Sequence, residues 1–496
     1  MDTPRSEGRR RRIEASLAWL ARYDAIVDDP AAFRAALEPP APVDLLVHPG
    51  RTTPDALGNA LAARGLTVET FDWAPQHLRV GAGSAPLPGA GTLPEVVFGL
   101  AIPQGVSSAT AAQALAPRAG EVVADLCAAP GGKTALLSFL ADDRARIVAG
   151  DPSADRCGLL VTNLGRMALT GPLVVQQDAA ALPPVALFDA ILLDAPCTGE
   201  GTFRLASPRY EPRGESGLGP ARVLQRRLLA RALDRLAPGG RLVYATCSYA
   251  PEENEQVLAD ALAARDDVAL APLPDGTPGL PGLTAWGELR FPAEMALARR
   301  LFPHHTGSWG FFLAKLEKRG GGAAGSSAAA AAHAPRVSNG TAAPQQPPTD
   351  DPEARAELAA VLSDRFGVDT DAALAEQLVI ARGRDLWLLA RPAALDGRDV
   401  DLGALSIVAP GMRALHRTNS GPRATNSLLR WLGPRITQRV AELDGETARR
   451  MMAWGPLPCP DQSLRGGVAV RVDGVVVGAG HVRDGMLQFE IPAAWR

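Results

Sequence analysis

The chain has 496 residues, 46% hydrophobic and 21% charged, with a formal net charge of −3 at neutral pH. At roughly 100 to 200 residues per domain this length holds about three domains, and the composition is that of a globular chain rather than a disordered or fibrous one. No apolar run reaches the roughly 18 residues of a membrane span, no signal-peptide pattern follows the N-terminal arginines, and the net charge lacks the basic excess typical of phosphate binding, so a cytoplasmic chain with only local basic runs is expected.

The first such run is Arg9 to Arg12. It reads equally as a phosphate contact or as a solvated face in a sequence with almost no lysine. Residues 1–94 contain one β-α-β-like passage, VDLLVHPGRTTPDALGNALAARGLTVETF, and are expected to form a small α+β accessory domain, closed by the turn-rich segment near Pro86 to Pro94. From 95 to 318 apolar β-branched runs (VVADLCA, RIVAGD, LVVQQD, FDAILLDAP, RLVYATCS) alternate with helical patterns. That alternation predicts an α/β fold with a doubly wound, Rossmann-like parallel sheet buried on both faces. Residues 319–352 are a Gly/Ala/Ser/Pro tract that reads as a flexible linker. The remaining 353–496 end in GVAVRVDGVVVGAGHVRDGMLQFEIP, short strands with glycine turns that suggest a small β-rich module. Within it, Arg413 to Arg450 is the second basic run, with the same two readings.

Ligands of a doubly wound sheet bind beyond the carboxyl ends of its strands. The first run leads into Asp125-Leu-Cys-Ala-Ala-Pro-Gly-Gly-Lys-Thr134, where a glycine pair opens a helix. Glycines admit a ligand close to the backbone, and a helix N-terminus favours a carboxylate. A phosphate loop is excluded by spacing, because Cys127 stands where its first glycine belongs. The next two runs end in Asp151 and Asp178, placed to accept from ribose hydroxyls and an adenine amino group respectively, or to cap the following helices.

Five cysteines, at 127, 157, 197, 247 and 459, are too scattered for a disulfide framework or a zinc site. Cys157 and Cys459 read as buried small hydrophobes, and Cys127 as a strand-end packing residue. Cys197, in Asp194-Ala-Pro-Cys197, and Cys247, in Ala245-Thr-Cys247, both follow strands; if those strands are neighbours the thiols converge, which suggests covalent catalysis. Carbon 5 of cytosine is too weak a nucleophile to take a methyl group from a sulfonium until a thiolate adds at carbon 6. Asp194 is suited to hold the amino edge of such a base. His304-His305 lacks companion ligands at suitable spacing, so these are expected to be ordinary loop histidines and no metal is expected.

Taken together, Pro103-Gln104-Gly-Val-Ser-Ser108, Asp125 to Thr134, Asp194 to Arg204, Pro238-Gly-Gly240, Thr246-Cys-Ser248 with Glu252-Glu-Asn-Glu255, and Gly310-Phe-Phe-Leu-Ala314 resemble the Sun-type RNA cytosine-C5 methyltransferases across about 95–318. DNA cytosine methyltransferases place the nucleophile in the Pro-Cys motif and this RNA family in the Thr-Cys motif. The presence of both here points to RNA. The resemblance implies a Rossmann-like methyltransferase domain using S-adenosylmethionine, Cys247 as nucleophile and Cys197 in product release. It also implies cofactor contacts from Cys127, Ala128, Ala129, Pro130, Gly131, Gly132 and Lys133, from Asp151 and Asp178, and from Asp194, which is also near the base. Lys133 is left facing either the cofactor's methionine end or the base. The layout is similar to the bacterial branch that modifies small-subunit ribosomal RNA, which implies that residues 1–94 are an accessory RNA-binding segment and that 353–496 are an RNA-binding domain related at its end to the pseudouridine-synthase-associated (PUA) fold. It implies 16S rRNA or the small subunit as partner, and a monomer is expected. His481 stands where that module would carry lysine, and His48-Pro-Gly-Arg51 replaces an Arg-Val-Asn-like run. The alternatives are the same reaction on tRNA, or a non-catalytic RNA-binding ribosome assembly factor.

Overall fold

A computed structural model describes residues 4–183, 187–206, 214–320, 348–391 and 404–489. The expected linker lies outside these residues except at its two ends, and so does the last part of the C-terminal stretch.

The alternating runs form the strands of one large sheet. They are β1 (Val122–Asp125), β2 (Arg146–Asp151), β3 (Pro172–Gln176), β4 (Phe188–Asp194), β5 (Leu236–Thr246), β6 (Arg299–Leu301) and β7 (Phe311–Lys318). Their spatial order is β6-β7-β5-β4-β1-β2-β3. The run from β5 to β3 is parallel, and β7 lies antiparallel to β5. Helices α1 (Gly132–Leu140), α2 (Ala154–Arg166) and α3 (Gly214–Arg235) join or cover the parallel strands. Alternate residues feed two cores. Val123, Ile147, Val174, Leu192 and Val243 face one side, and Ala124, Val148, Leu173, Ile191 and Tyr244 the other. Burial on both faces explains why these strands read as unbroken apolar runs. The chain leaves β1 toward β2 on one side and returns to β4 on the other, which opens the crevice where such sheets bind ligands.

Ahead of this sheet, strands Val43–Val47, Leu66–Thr70, His77–Ala82 and Ala101–Pro103 form a small sheet. Ala101–Pro103 pairs with Val43–Val47, so this unit extends past the turn-rich segment at Pro86 to Pro94. Helices Pro4–Leu20 and Pro30–Ala36 stand apart from it. Leu20, Tyr23, Phe33 and Leu37 pack instead with Phe203, Tyr249 and Phe302 of the large domain.

The C-terminal part opens with helix Pro352–Phe366 and carries one four-stranded and one five-stranded sheet. Between the strands of the former, β8 (Ile407–Pro410) leaves and pairs antiparallel with β3. It covers that edge of the large sheet, whose backbone groups would otherwise offer a template for aggregation. The basic segment divides in the fold. Arg413 and Arg435 lie on the surface side, whereas Arg430 is buried and donates to the carbonyls of Val477 (2.7 Å) and Val97 (2.8 Å). Arg51 of the His48-Pro-Gly-Arg51 run likewise donates to Phe98 O (2.7 Å), Gly99 O (2.8 Å) and Val476 O. Both arginines pin the outer units together through backbone carbonyls, which removes Arg430 from the phosphate contacts that one of the two readings of its basic run suggested. No helix among the described residues is long and apolar enough to cross a membrane.

Candidate active site

Strands β4 and β5 are neighbours, with Asp194 opposite Ala245. The loops that follow them therefore leave the same edge of the sheet. The Sγ atoms of Cys197 and Cys247 stand 3.2 Å apart. Gly201 N–H donates to Cys247 O (2.8 Å), and Gly310 N–H to Gly201 O (3.0 Å), so three segments lock into one backbone stack. A Cβ on Gly201 would come within 2.4 Å of Gly310 O, a distance no real side chain tolerates.

Glu253 organises the same two loops from below. It is fully buried and accepts from Thr198 N (2.9 Å), Thr198 Oγ1 (2.5 Å), Gln225 Nε2 (2.9 Å) and the Ser248 hydroxyl. Thr198 follows Cys197 and Ser248 follows Cys247, so a single carboxylate ties down the residue after each thiol. Asn254 adds to the clamp by donating to Ser248 O (2.9 Å) and accepting from Thr246 Oγ1 (2.6 Å). Glu200, in the first loop, accepts from Trp19 Nε1 (2.5 Å) and Tyr23 OH (2.7 Å), which anchors the N-terminal helices to the back of the site.

Lys133, in the first turn of α1, places Nζ 2.7 Å from Asp194 Oδ2 and 5.5 Å from the centre of the Phe311 ring. Burial works against its charge, but Asp194 outweighs burial, with Asp125 and Cys247 adding to the effect, so the ammonium form is held above the ordinary lysine range. The Cys197 thiol is shifted the same way for other reasons. Its contact with Cys247 and then its burial hold it well above the ordinary thiol value. Burial, with Asp194, Asp125 and Asp151 nearby, also raises Cys127.

The glycine turn lies beside this group. Gly131 precedes α1 with φ +108°, a conformation other residues rarely adopt, and no side chain caps the helix. The turn is braced by α2, through Arg156 Nη2 to Ala129 O (2.8 Å) and Asn163 Nδ2 to Pro130 O (2.7 Å). Asp125 is buried at the end of β1. Its Oδ2 accepts from Thr134 Oγ1 (2.7 Å), while Oδ1 has no partner, and desolvation lifts its carboxyl to about 7. Asp151 is buried at the end of β2 and accepts from Ser153 N (3.0 Å). Asp178 is half-exposed after β3, where it caps a short helical turn by accepting from Ala180 N (2.9 Å) and faces Arg227 at 3.7 Å.

Cys127 to Lys133, Asp151, Asp194, Cys197 and Cys247 thus all sit at or beyond the carboxyl ends of β1, β2, β4 and β5, with Asp178 beyond β3. Cys157 and Cys459 are buried in apolar clusters. Sequence reading gave no role to Asp125 or Glu253, although both fall inside motifs it singled out. The signal available for Glu253 was an acid a few residues past the Thr-Cys motif, in a stretch otherwise set to begin a helix. Gln104 was likewise without a role. Its Oε1 accepts from His77 Nε2 at 2.8 Å, and its side chain lies against Gly132.

Strands β6-β7-β5-β4-β1-β2-β3 in this order, within the ten-stranded sheet, with a glycine turn and two acids at the ligand edge, define the Rossmann-like methyltransferase class of folds. The model of one family, 16S rRNA methyltransferase RsmB/F, matches residues 112–317. A human 28S rRNA (cytosine(4447)-C(5))-methyltransferase is 36% identical over 293 residues, 58% of this chain and 35% of the relative. The ribosomal RNA small subunit methyltransferase F of Vibrio vulnificus strain YJ016 is 28% identical over 478 residues, 93% of this chain and 92% of the relative. A methyltransferase homolog from Pyrococcus horikoshii, known from its crystal structure, is 33% identical with a TM-score of 0.55, covering 64% of this chain and all of that one. The chain spans 35% to 48% of the length of four eukaryotic relatives it matches. The chain belongs to the Sun-type RNA cytosine-C5 methyltransferase family.

Proposed function

We propose that the chain methylates carbon 5 of cytosine in RNA, with S-adenosylmethionine as methyl donor, Cys247 as nucleophile and 16S rRNA as substrate. The observation that carries this reading is the 3.2 Å approach of the Cys197 and Cys247 thiols beside the Lys133–Asp194 pair. A disulfide or zinc role would need only the sulfurs. A base-activating role needs a nucleophile, a second proton-handling group and a polar pair to hold the base, and all three are adjacent here.

The residues fit the cofactor. The uncapped start of α1 suits its carboxylate, the unpartnered Asp125 Oδ1 is available to an ammonium or hydroxyl, and Asp151 ends the strand where ribose is held. When bound, the cofactor supplies an electrophilic methyl group on a sulfonium. The protein's own residues do the rest. The Cys247 thiolate forms a bond to carbon 6 of cytosine, and the electron pair of the 5,6 double bond becomes available at carbon 5. Asp194, held by Lys133, accepts from the amino edge of the base and orients it, and the Lys133 ammonium offsets the negative charge that builds on the ring during addition. Once carbon 5 carries the methyl group, its proton must leave as the bond from carbon 6 to Sγ breaks and the double bond re-forms. Cys197 stands beside that bond and, as a raised-pKa thiol, gives its proton to the departing Cys247 sulfur, and the Cys197 thiolate so formed takes up the carbon-5 proton, which restores its thiol.

The same-family enzyme from Vibrio vulnificus, which aligns along nearly the whole chain and is named for the small ribosomal subunit, supports 16S rRNA over tRNA. RNA binding by the C-terminal part is supported by a cavity of about 920 Å³ lined by Arg365, Arg423, Asn426, His481 and Gln488. The test is to map 5-methylcytosine in total RNA with and without the gene. Loss of a single 16S site is expected. Unchanged 16S rRNA with a lost tRNA site would move the substrate to tRNA, and no lost site at all would remove the catalytic reading.

A further inference from the structure

His304 and His305 occupy the short helix Pro303–Thr306 between β6 and β7, and the fold supplies the companion that the sequence spacing did not. Asp28, 276 residues away in the turn between helices Pro4–Leu20 and Pro30–Ala36, reaches both rings. Its Oδ1 lies 2.8 Å from His304 Nε2 and 3.0 Å from His305 Nε2, and its Oδ2 is also 3.0 Å from His305 Nε2. The three donor atoms lie within 4.8 Å of one another. Adjacent residues on a helix ordinarily diverge, yet these two imidazoles lie with ring centres 4.0 Å apart and aim the same nitrogen at one point. Phe302 packs against both rings and fixes them.

From this convergence we infer that Asp28, His304 and His305 form a binding site for a divalent transition-metal ion of the zinc class. Two imidazole nitrogens and one carboxylate oxygen are the donor set zinc accepts at about 2.0 to 2.2 Å from each atom, with further positions left to water. Tetrahedral placement needs donor separations of about 3.4 Å, so the Asp28 oxygen draws back from the two nitrogens by roughly half an ångström to admit the ion. Asp28 is half-exposed, which gives the ion a path in, while the rings are mostly covered.

Such an ion staples the N-terminal helices to the segment that runs into Gly310, and Gly310 holds Gly201 and through it Cys247. The site is thus structural, and methyl transfer does not pass through it.

Cobalt(II) serves as a visible probe for zinc. Titrating the full chain with Co²⁺ is expected to give one ion per chain with visible d–d absorption and no near-ultraviolet thiolate charge transfer, and Zn²⁺ is expected to bleach it. Asp28→Asn and His305→Gln are each expected to weaken Co²⁺ binding at least about tenfold with the far-ultraviolet circular dichroism unchanged. Zn²⁺ is expected to raise the unfolding temperature of the wild type and not that of Asp28→Asn. No cobalt band, an affinity unchanged in both variants, or a thiolate band that disappears with Cys197→Ser would each overturn the site.

Discussion

Asp125 is the side chain at which protonation bears most directly on stability. Its carboxyl rises from 3.8 to about 7 because it is buried, and the hydrogen bond from Thr134 only partly offsets that. A carboxyl raised on folding binds more protons in the folded than in the unfolded chain between these two values. Stability contributed by the protonated form is therefore complete below about pH 4 and is lost as pH rises through about 7. A difference of this size corresponds to at most about 4 kcal/mol. Asp125→Asn keeps an acceptor for Thr134 without a charge to bury. The ligand-free variant is expected to lose less unfolding temperature than the wild type between pH 4 and pH 8. Parallel curves for the two proteins would show that Asp125 does not titrate in this range.

Along the elements, β4 and β5 bring the two thiols together and Glu253 keeps them so. Removing its carboxylate strands two hydroxyls, a backbone N–H and the Gln225 amide in a fully buried place. Glu253→Ala is expected to cost about 3 kcal/mol of stability and to lower kcat at least about tenfold with KM for RNA little changed. Glu253→Gln is expected to recover most of both, since the Thr198 and Ser248 hydroxyls can turn from donor to acceptor. An equal rise in KM in both variants would make Glu253 part of the RNA-binding surface instead of a positioning residue. The strands themselves were legible from residue order alone, because burial on both faces leaves runs such as FDAILLDAP with no polar interruption. The glycine turn and the acids at strand ends were legible for the same reason, as each marks where a run stops. Glu253 had no such signature. Its meaning depends on Thr198 arriving from 55 residues away, and nothing in the local pattern separates it from the neighbouring Glu252 and Glu255. The convergence of Asp28 on His304 and His305 was hidden in the same way, by a separation no spacing rule spans.

Across the whole molecule, the three units are joined more closely than the linker-like tract at 319–352 suggests. The strand β8 adds to the edge of the catalytic sheet, and Arg430 and Arg51 pin the C-terminal and N-terminal units through backbone carbonyls. Removal of residues 351–496 therefore uncovers β3 and takes away Ile407 and Ala409, whose side chains complete its core, and a truncated chain is expected to aggregate rather than report on RNA affinity. Point changes in the C-terminal cavity are the cleaner probe of RNA binding. Arg365→Ala is expected to weaken RNA binding similarly across sequences and to reduce the salt dependence of the binding constant by about one ion. An unchanged salt slope would place the RNA elsewhere.

The division of labour between the two thiols is tested most directly by peptide mapping of the covalent product. Cys197→Ala, incubated with cytosine-containing substrate RNA and S-adenosylmethionine, is expected to accumulate a protein–RNA adduct whose only modified peptide contains Cys247. Cys247→Ala is expected to form no adduct and no 5-methylcytosine. An adduct on Cys197 in the Cys247→Ala protein, or loss of activity in Cys197→Ala without any adduct, would contradict the assignment of Cys247 as nucleophile and Cys197 as the group that releases the product.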